Sequence, residues 1–169
     1  MANIIRLDLI SIGTHARSFV CEEQDLERGL FLNIVGKANN IHLDADPDYE
    51  AYKVELAKAG NLVGNLMLNT TIPNQYDERK MEKDFVLEAG RVGRGHMIHR
   101  GDIVTIPTVE GVEVGALLGL DANGLLAEGG EPIAVVEALE DITIPFYGQQ
   151  YQGLQVEDLV QPSMVIRFL

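Results

Sequence analysis

Apolar and polar residues alternate strictly along Ile5-Arg6-Leu7-Asp8-Leu9. A period of two puts every second side chain on one face, so this stretch predicts a half-buried strand. Gly29 to Val35 predicts a second strand, closed by a turn at Gly36 to Asn40. Asp46-Pro47 has the form of a helix start, with an N-cap and a proline at the first helical position. Tyr52, Val54 and Leu56 nevertheless alternate with Lys53 and Glu55, and that period favours a strand. A further apolar run, Asn61 to Asn69, stops at the turn residues Pro73 and Asn74.

The second half is rich in glycine and in short apolar runs: Gly101 to Pro107, Val112 to Leu120, Gly124 to Ala127, Pro132 to Leu139, Ile142 to Phe146 and Ser163 to Leu169. Asp121-Ala122-Asn123-Gly124 lies between two of them and predicts a hairpin turn. Short strands at this spacing predict a mainly β fold, a small β-barrel or β-sandwich with a strand-rich N-terminal lobe. The expected organisation is an N-terminal lobe over residues 1–73, a charged exposed connector over 74–84, and a C-terminal barrel or sandwich over 85–169, within one compact domain or as two lobes. Arg28-Gly29-Leu30-Phe31-Leu32-Asn33-Ile34 echoes Arg100-Gly101-Asp102-Ile103-Val104-Thr105-Ile106. Both read as a glycine turn entering a strand, which shared turn chemistry explains as well as duplication does.

Composition narrows the function classes. A chain of 169 residues can bury a core without disulfides or metals. Its 13 basic and 26 acidic residues give a formal net charge of −13, whose field repels phosphate backbones and argues against nucleic acid as a partner. Trp is absent and only five Tyr and five Phe are present, few for a base-stacking surface. Cys21 is the sole cysteine, so no internal disulfide can form, which suits synthesis in a reducing cytoplasm. The apolar run at Ile4 to Ile10 is broken by Arg6 and Asp8, and no stretch approaches the roughly 20 apolar residues of a membrane helix. Neither secretion nor membrane association is expected.

Candidate catalytic and metal motifs fall short of their chemistry. Asp44-Ala45-Asp46-Pro47-Asp48, with Glu55 beyond, has the alternating carboxylates of a calcium loop. Tyr49 stands where the sharp turn needs glycine, and Pro47 stiffens the middle. His96 and His99 are three apart, but flanking glycines argue against the helix that would put them on one face, and no third ligand lies near; His42 is further off. Gly90-Arg91-Val92-Gly93-Arg94-Gly95 has neither dinucleotide nor P-loop spacing and reads as a mobile or tightly turning loop. Arg100-Gly101-Asp102 reads as a turn. Ser11, Ser18 and Ser163 lack a nucleophile-elbow context, and Glu22 and Glu23 beside Cys21 would make its thiol a poorer nucleophile. A carboxylate pair for glycoside hydrolysis stays open, because acids are abundant and their separation is not written in the sequence. The expectation is a non-enzymatic protein with no catalytic residue, cofactor or metal.

From about Gln75 onward the chain resembles the head decoration, or cement, proteins of tailed bacteriophages. The resemblance rests on Tyr76-Asp77-Glu78-Arg79, Asp84-Phe85, Ala89-Gly90, Arg94, Gly101-Asp102, Leu120-Asp121-Ala122-Asn123-Gly124-Leu125, Pro132-Ile133-Ala134-Val135-Val136-Glu137 and the closing Met164-Val165-Ile166-Arg167-Phe168. It covers a little over half the chain and is carried mainly by Gly, Asp and aliphatic residues. It implies a virion protein, made in the host cytoplasm, that binds the outer surface of an assembled major capsid protein lattice and stabilises the head. It also allows self-association as a dimer or trimer on the shell. Arg91, Arg94, His96 and Arg100 gather cations and glycines within an acidic chain, and are the expected capsid contact. The alternatives are a tail, fibre or connector protein, or a small β-barrel enzyme or ligand carrier.

Overall fold

The computed structural model describes residues 5–10, 16–38, 51–61, 63–71, 86–143 and 160–169. The alternation at residues 5–9 becomes strand β1 (Arg6–Leu9). It is followed by β2 (Ala16–Val20), the two-residue β3 (Leu26–Glu27) and β4 (Phe31–Lys37). The ambiguous segment after Asp46-Pro47 forms β5 (Ala51–Leu56), as its period of two requires, with Val54 buried and Tyr52 and Leu56 partly buried against the same core. One turn of 3₁₀ helix (Val63–Asn65) then leads into β6 (Leu66–Asn69). The remaining strands are β7 (Val86–Leu87), β8 (Val92–Met97), β9 (Ile103–Pro107), β10 (Leu117–Leu120), β11 (Leu126–Glu128), β12 (Ala134–Thr143) and β13 (Val160–Phe168). The fold is mainly β, as the short apolar runs predict.

Five strands close a barrel in the order β2-β5-β4-β6-β8, with β2 and β5 parallel and the other neighbouring pairs antiparallel. Six others form an open sheet in the order β1-β9-β13-β12-β10-β11, and β3 pairs with β7. The sheets do not divide at the charged segment 74–84, which itself lies outside the described residues. β1, near the start of the chain, hydrogen-bonds to β9, while β8, from the second half, completes the barrel. Closure therefore falls mostly to strands of the first half, and the second half supplies the open sheet. Residues of the run at 132–139 and the start of the next, Ile142 and Thr143, share one long strand, β12, which continues from Ala134 to Thr143 through a register shift between Val136 and Ala138.

Two cores result. Phe19, Cys21, Leu26, Leu32, Val54, Met67 and Leu87 fill the barrel, with Leu26 and Leu87 contributed by the β3–β7 pair. The second core joins the barrel to the open sheet. Phe31, Leu66, Leu68 and Ile98 from the barrel side share one cluster with Val104, Leu118, Val136, Met164, Ile166 and Phe168. Phe31 and Phe168 meet edge to face across this joint, with ring centroids 5.8 Å apart.

A barrel of only five strands has a narrow interior, since barrel diameter grows with strand number. Gly93 and Gly95 answer that constraint. A Cβ on Gly93 would lie 2.6 Å from Leu87 Cδ2 and closer still to the Phe19 ring, and one on Gly95 would lie 2.5 Å from Met67 Sδ. The segment Gly90 to Gly95, expected as a mobile or turning loop, is thus mostly the strand β8, with a turn only at Gly90 (φ 78°). Gly93 and Gly95 face inward and make room for large neighbours.

Candidate protein-binding surfaces

Strand alternation sorts the cations of the β8 region. Gly93 and Gly95 point into the barrel, so Arg94 is exposed on its outside and half-buried His96 follows on the same side. Arg91 precedes the strand and lies 3.6 Å from Glu88 in an exposed ion pair. Arg100 is exposed in the turn beyond its other end. Six residues of extended chain separate Arg94 from Arg100, up to about 20 Å. The structure brings Arg94 and His96 together and sets Arg91 and Arg100 at opposite ends of the strand.

Arg94 and His96 also take part in the polar seam that closes the barrel. Asn69 is fully buried; its Nδ2 donates to the Glu27 carbonyl at 2.7 Å, and its Oδ1 accepts from the Thr71 N–H at 3.1 Å. Thr71 Oγ1 accepts from the Arg94 N–H at 3.0 Å and lies 2.7 Å from Asn69 Oδ1. Thr70 N–H donates to the Arg94 carbonyl at 3.0 Å, and Thr70 Oγ1 shares a 2.9 Å hydrogen bond with His96 Nδ1. These contacts hold the Arg94 backbone while its guanidinium faces outward. Burial, and secondarily the charge of Arg94, pushes the His96 pKa down from its ordinary value.

His99 and Asp102 shape the turn between β8 and β9. The Asp102 N–H donates to the His99 carbonyl at 3.1 Å, and Gly101 adopts φ 89°, so Arg100-Gly101-Asp102 is the turn its composition predicts. The Asp102 carboxylate is fully buried and accepts the His99 N–H at 2.9 Å. Among the described residues no group of three or more His, Cys, Asp or Glu is placed to hold a metal ion. Of the calcium-like loop, residues 44–50 lie outside the described residues, as does His42; Glu55 lies 3.3 Å from Asn33 Nδ2, as its hydrogen-bond acceptor.

The open sheet carries a surface that sequence reasoning did not single out. Pairing aligns Leu9 with Ile103, Ile103 with Arg167, Arg167 with Val135, and Val135 with Leu117. Their neighbours Val104, Ile166, Ala134 and Leu118 face the core, so this row lies on the opposite, outer face. Leu9 is 57% exposed and Leu117 52%. Charges on the face are paired: Arg6 with Asp8 and Glu140, and Arg167 with Glu137. Apolar runs that form these strands were readable in the sequence, but the irregularity between Leu7 and Leu9 that turns Leu9 outward, and the registers that align five strands into one row, were not.

Shallow clefts open on the surface of the described residues, and two of them have a distinct lining. One, of about 270 Å³, is lined by Thr108, Leu139, Glu140, Asp141, Pro162 and Ser163. The other, of about 490 Å³, lies where the β10–β11 hairpin meets the barrel. No helix among the described residues is long and apolar enough to cross a membrane. No protein-family model matches the chain, and neither curated proteins nor solved structures yield a significant match.

Proposed function

We propose that this chain is a structural binding protein that decorates the outer surface of an assembled capsid lattice and stabilises it. The observation that carries the reading is the outer face of the open sheet, where charges are paired off and exposed Leu9 and Leu117 end a row that runs across five strands. Broad faces with aliphatic anchors and a satisfied polar surround suit protein docking. The likeness of the second half to cement proteins supplies the partner. Its Gly101-Asp102 and Asp121-to-Leu125 segments are turns, and its Pro132-to-Glu137 and Met164-to-Phe168 segments contribute the paired strands β12 and β13. Arg94 and Arg91 offer a second contact, cations that would meet capsid carboxylates.

The test is co-sedimentation with capsids stripped of the protein. Wild type is expected to pellet with assembled capsids and not with isolated capsid subunits, and to raise the temperature at which capsids rupture, because a ligand that binds only the assembled state stabilises it by mass action. Leu117→Asp is expected to abolish pelleting, and Arg91→Glu with Arg94→Glu to weaken it most at low salt. Wild type that pellets with no capsid of its source would end the decoration reading. Normal binding by the double arginine variant would remove β8 from the interface.

A further inference from the structure

The larger cleft has a composition of its own. Its floor is aliphatic: Leu30 and Leu56, half-buried against the barrel core, and Leu125, which is 43% exposed. Its rim is Gln24, Asp25, Glu27 and Asn123, and no Lys or Arg lines it among the described residues. One wall is fixed. The Phe31 N–H donates to the Gly124 carbonyl at 2.8 Å, and the Asp121 carboxylate accepts the N–H groups of Asn123 and Leu125, both at 2.8 Å. Asp25 accepts the Ala89 N–H at 2.8 Å and has acceptor capacity for more than this one bond.

We propose that this cleft docks a short segment of another protein that carries a Lys or Arg flanked by aliphatic residues. Each part of the site selects one part of that occupant. Leucines of the floor take the aliphatic neighbours and the methylene stem of the basic residue. Carboxylates of the rim take its charged head. A net charge of −13 draws a basic segment in from a distance. The inference does not depend on the capsid reading; it concerns a different face and a different chemistry.

The experiment uses the full chain, labelled with nitrogen-15, titrated with a blocked pentapeptide of alternating leucine and lysine. A pentapeptide of leucine and glutamate is the control. Amide shifts are expected to concentrate on residues 24–30, 56 and 123–128 with the lysine peptide, and the glutamate peptide is expected to give none there. Leu125→Ser keeps every charge and should weaken binding by roughly tenfold, the scale of one buried leucine contact. Asp25→Asn with Glu27→Gln should weaken it by a similar factor while leaving the protein folded, as the remaining amide spectrum would show. Shifts spread over the whole acidic surface and unchanged by Leu125→Ser would overturn the proposal as unspecific charge attraction. A concentration-dependent dimer that Leu125→Ser dissolves in the absence of peptide would assign the cleft to a second copy and overturn it too. Loss of capsid co-sedimentation with peptide binding intact bears on the decoration reading alone.

Discussion

His96 is half-buried, hydrogen-bonded to Thr70 and next to Arg94, and burial leads the lowering of its pKa. In the unfolded chain the imidazole takes its proton near about 6.5. In the folded chain it does so at lower pH. As pH falls through the unfolded value, the unfolded state binds more protons, so stability falls, and it continues to fall until the folded value is passed. Wild type is therefore expected to lose more denaturant resistance between pH 7 and pH 5 than His96→Gln does. Equal losses in the two proteins would show that His96 contributes nothing to the acid response. Gly93 makes a sharper test of packing. Its missing Cβ is the space that the Phe19 ring and Leu87 occupy. Gly93→Ala should cost about 1–3 kcal/mol as overpacking, measured by urea unfolding, and Phe19→Leu in the same chain should recover part of it. Gly95→Ala, which meets the Met67 side chain and the Leu68 carbonyl oxygen at 3.0 Å, should destabilise as well.

At the scale of elements, the β10–β11 hairpin shows how a local turn becomes a tertiary joint. Asp121 folds the turn upon itself through two backbone N–H groups, and Gly124 takes φ 71°. The same Gly124 approaches the barrel so closely that a Cβ would lie 2.7 Å from the Phe31 carbonyl oxygen and 3.1 Å from Leu56 Cδ2. Backbone does not yield as a side chain end does. Gly124→Ala is expected to destabilise by more than about 1 kcal/mol, and also to shift the amide signals of Phe31 and Ala57, because the hairpin must move off the barrel. A loss of stability without those shifts would confine the effect to the turn's own conformation.

For the whole molecule, the deciding feature is that barrel and open sheet share a core. Phe31, Leu66, Leu68 and Ile98 lie in one cluster with Val104, Ile166 and Phe168. β1 and β8 each belong to the sheet built mainly from the other half of the chain. Neither sheet can come apart without exposing the apolar face of the other, so calorimetry should show one unfolding transition with equal calorimetric and van't Hoff enthalpies. Phe168→Ala, which empties the joint beside Phe31, should cost about 3–5 kcal/mol and lower that single transition as a unit. Two resolved transitions, with only one moved by Phe168→Ala, would contradict a shared core.

Local signals in the sequence are legible where one residue's neighbours decide its conformation. The alternation at Ile5 to Leu9 and Tyr52 to Leu56 specifies strands because half-burial is a property of the strand itself. Asp121 to Gly124 specifies a hairpin because its carboxylate and its positive φ act within four residues. Asp102 and Gly101 specify a turn for the same reason. β8 was not legible. Its inward positions are glycines, so it carries no apolar alternation, and only the bulk of Phe19 and Met67 across the barrel explains them. Nor could the sequence show that β1 pairs with β9, or that Leu9 and Leu117 end one row across the open sheet. Register between strands far apart in the chain is set by which faces are buried together, and that depends on every strand at once. The sequence by itself determined the secondary structure class, the turns at Gly101-Asp102 and at Asp121 to Gly124, and the acidic net charge, but not the end of β4, which runs on to Lys37 where a turn was expected from Gly36. Tertiary structure alone decided which strands close the barrel, which aliphatic residues stay outside, and that Arg94 and His96 lie on the outer side of a barrel strand, because each follows from contacts between segments that are distant along the chain.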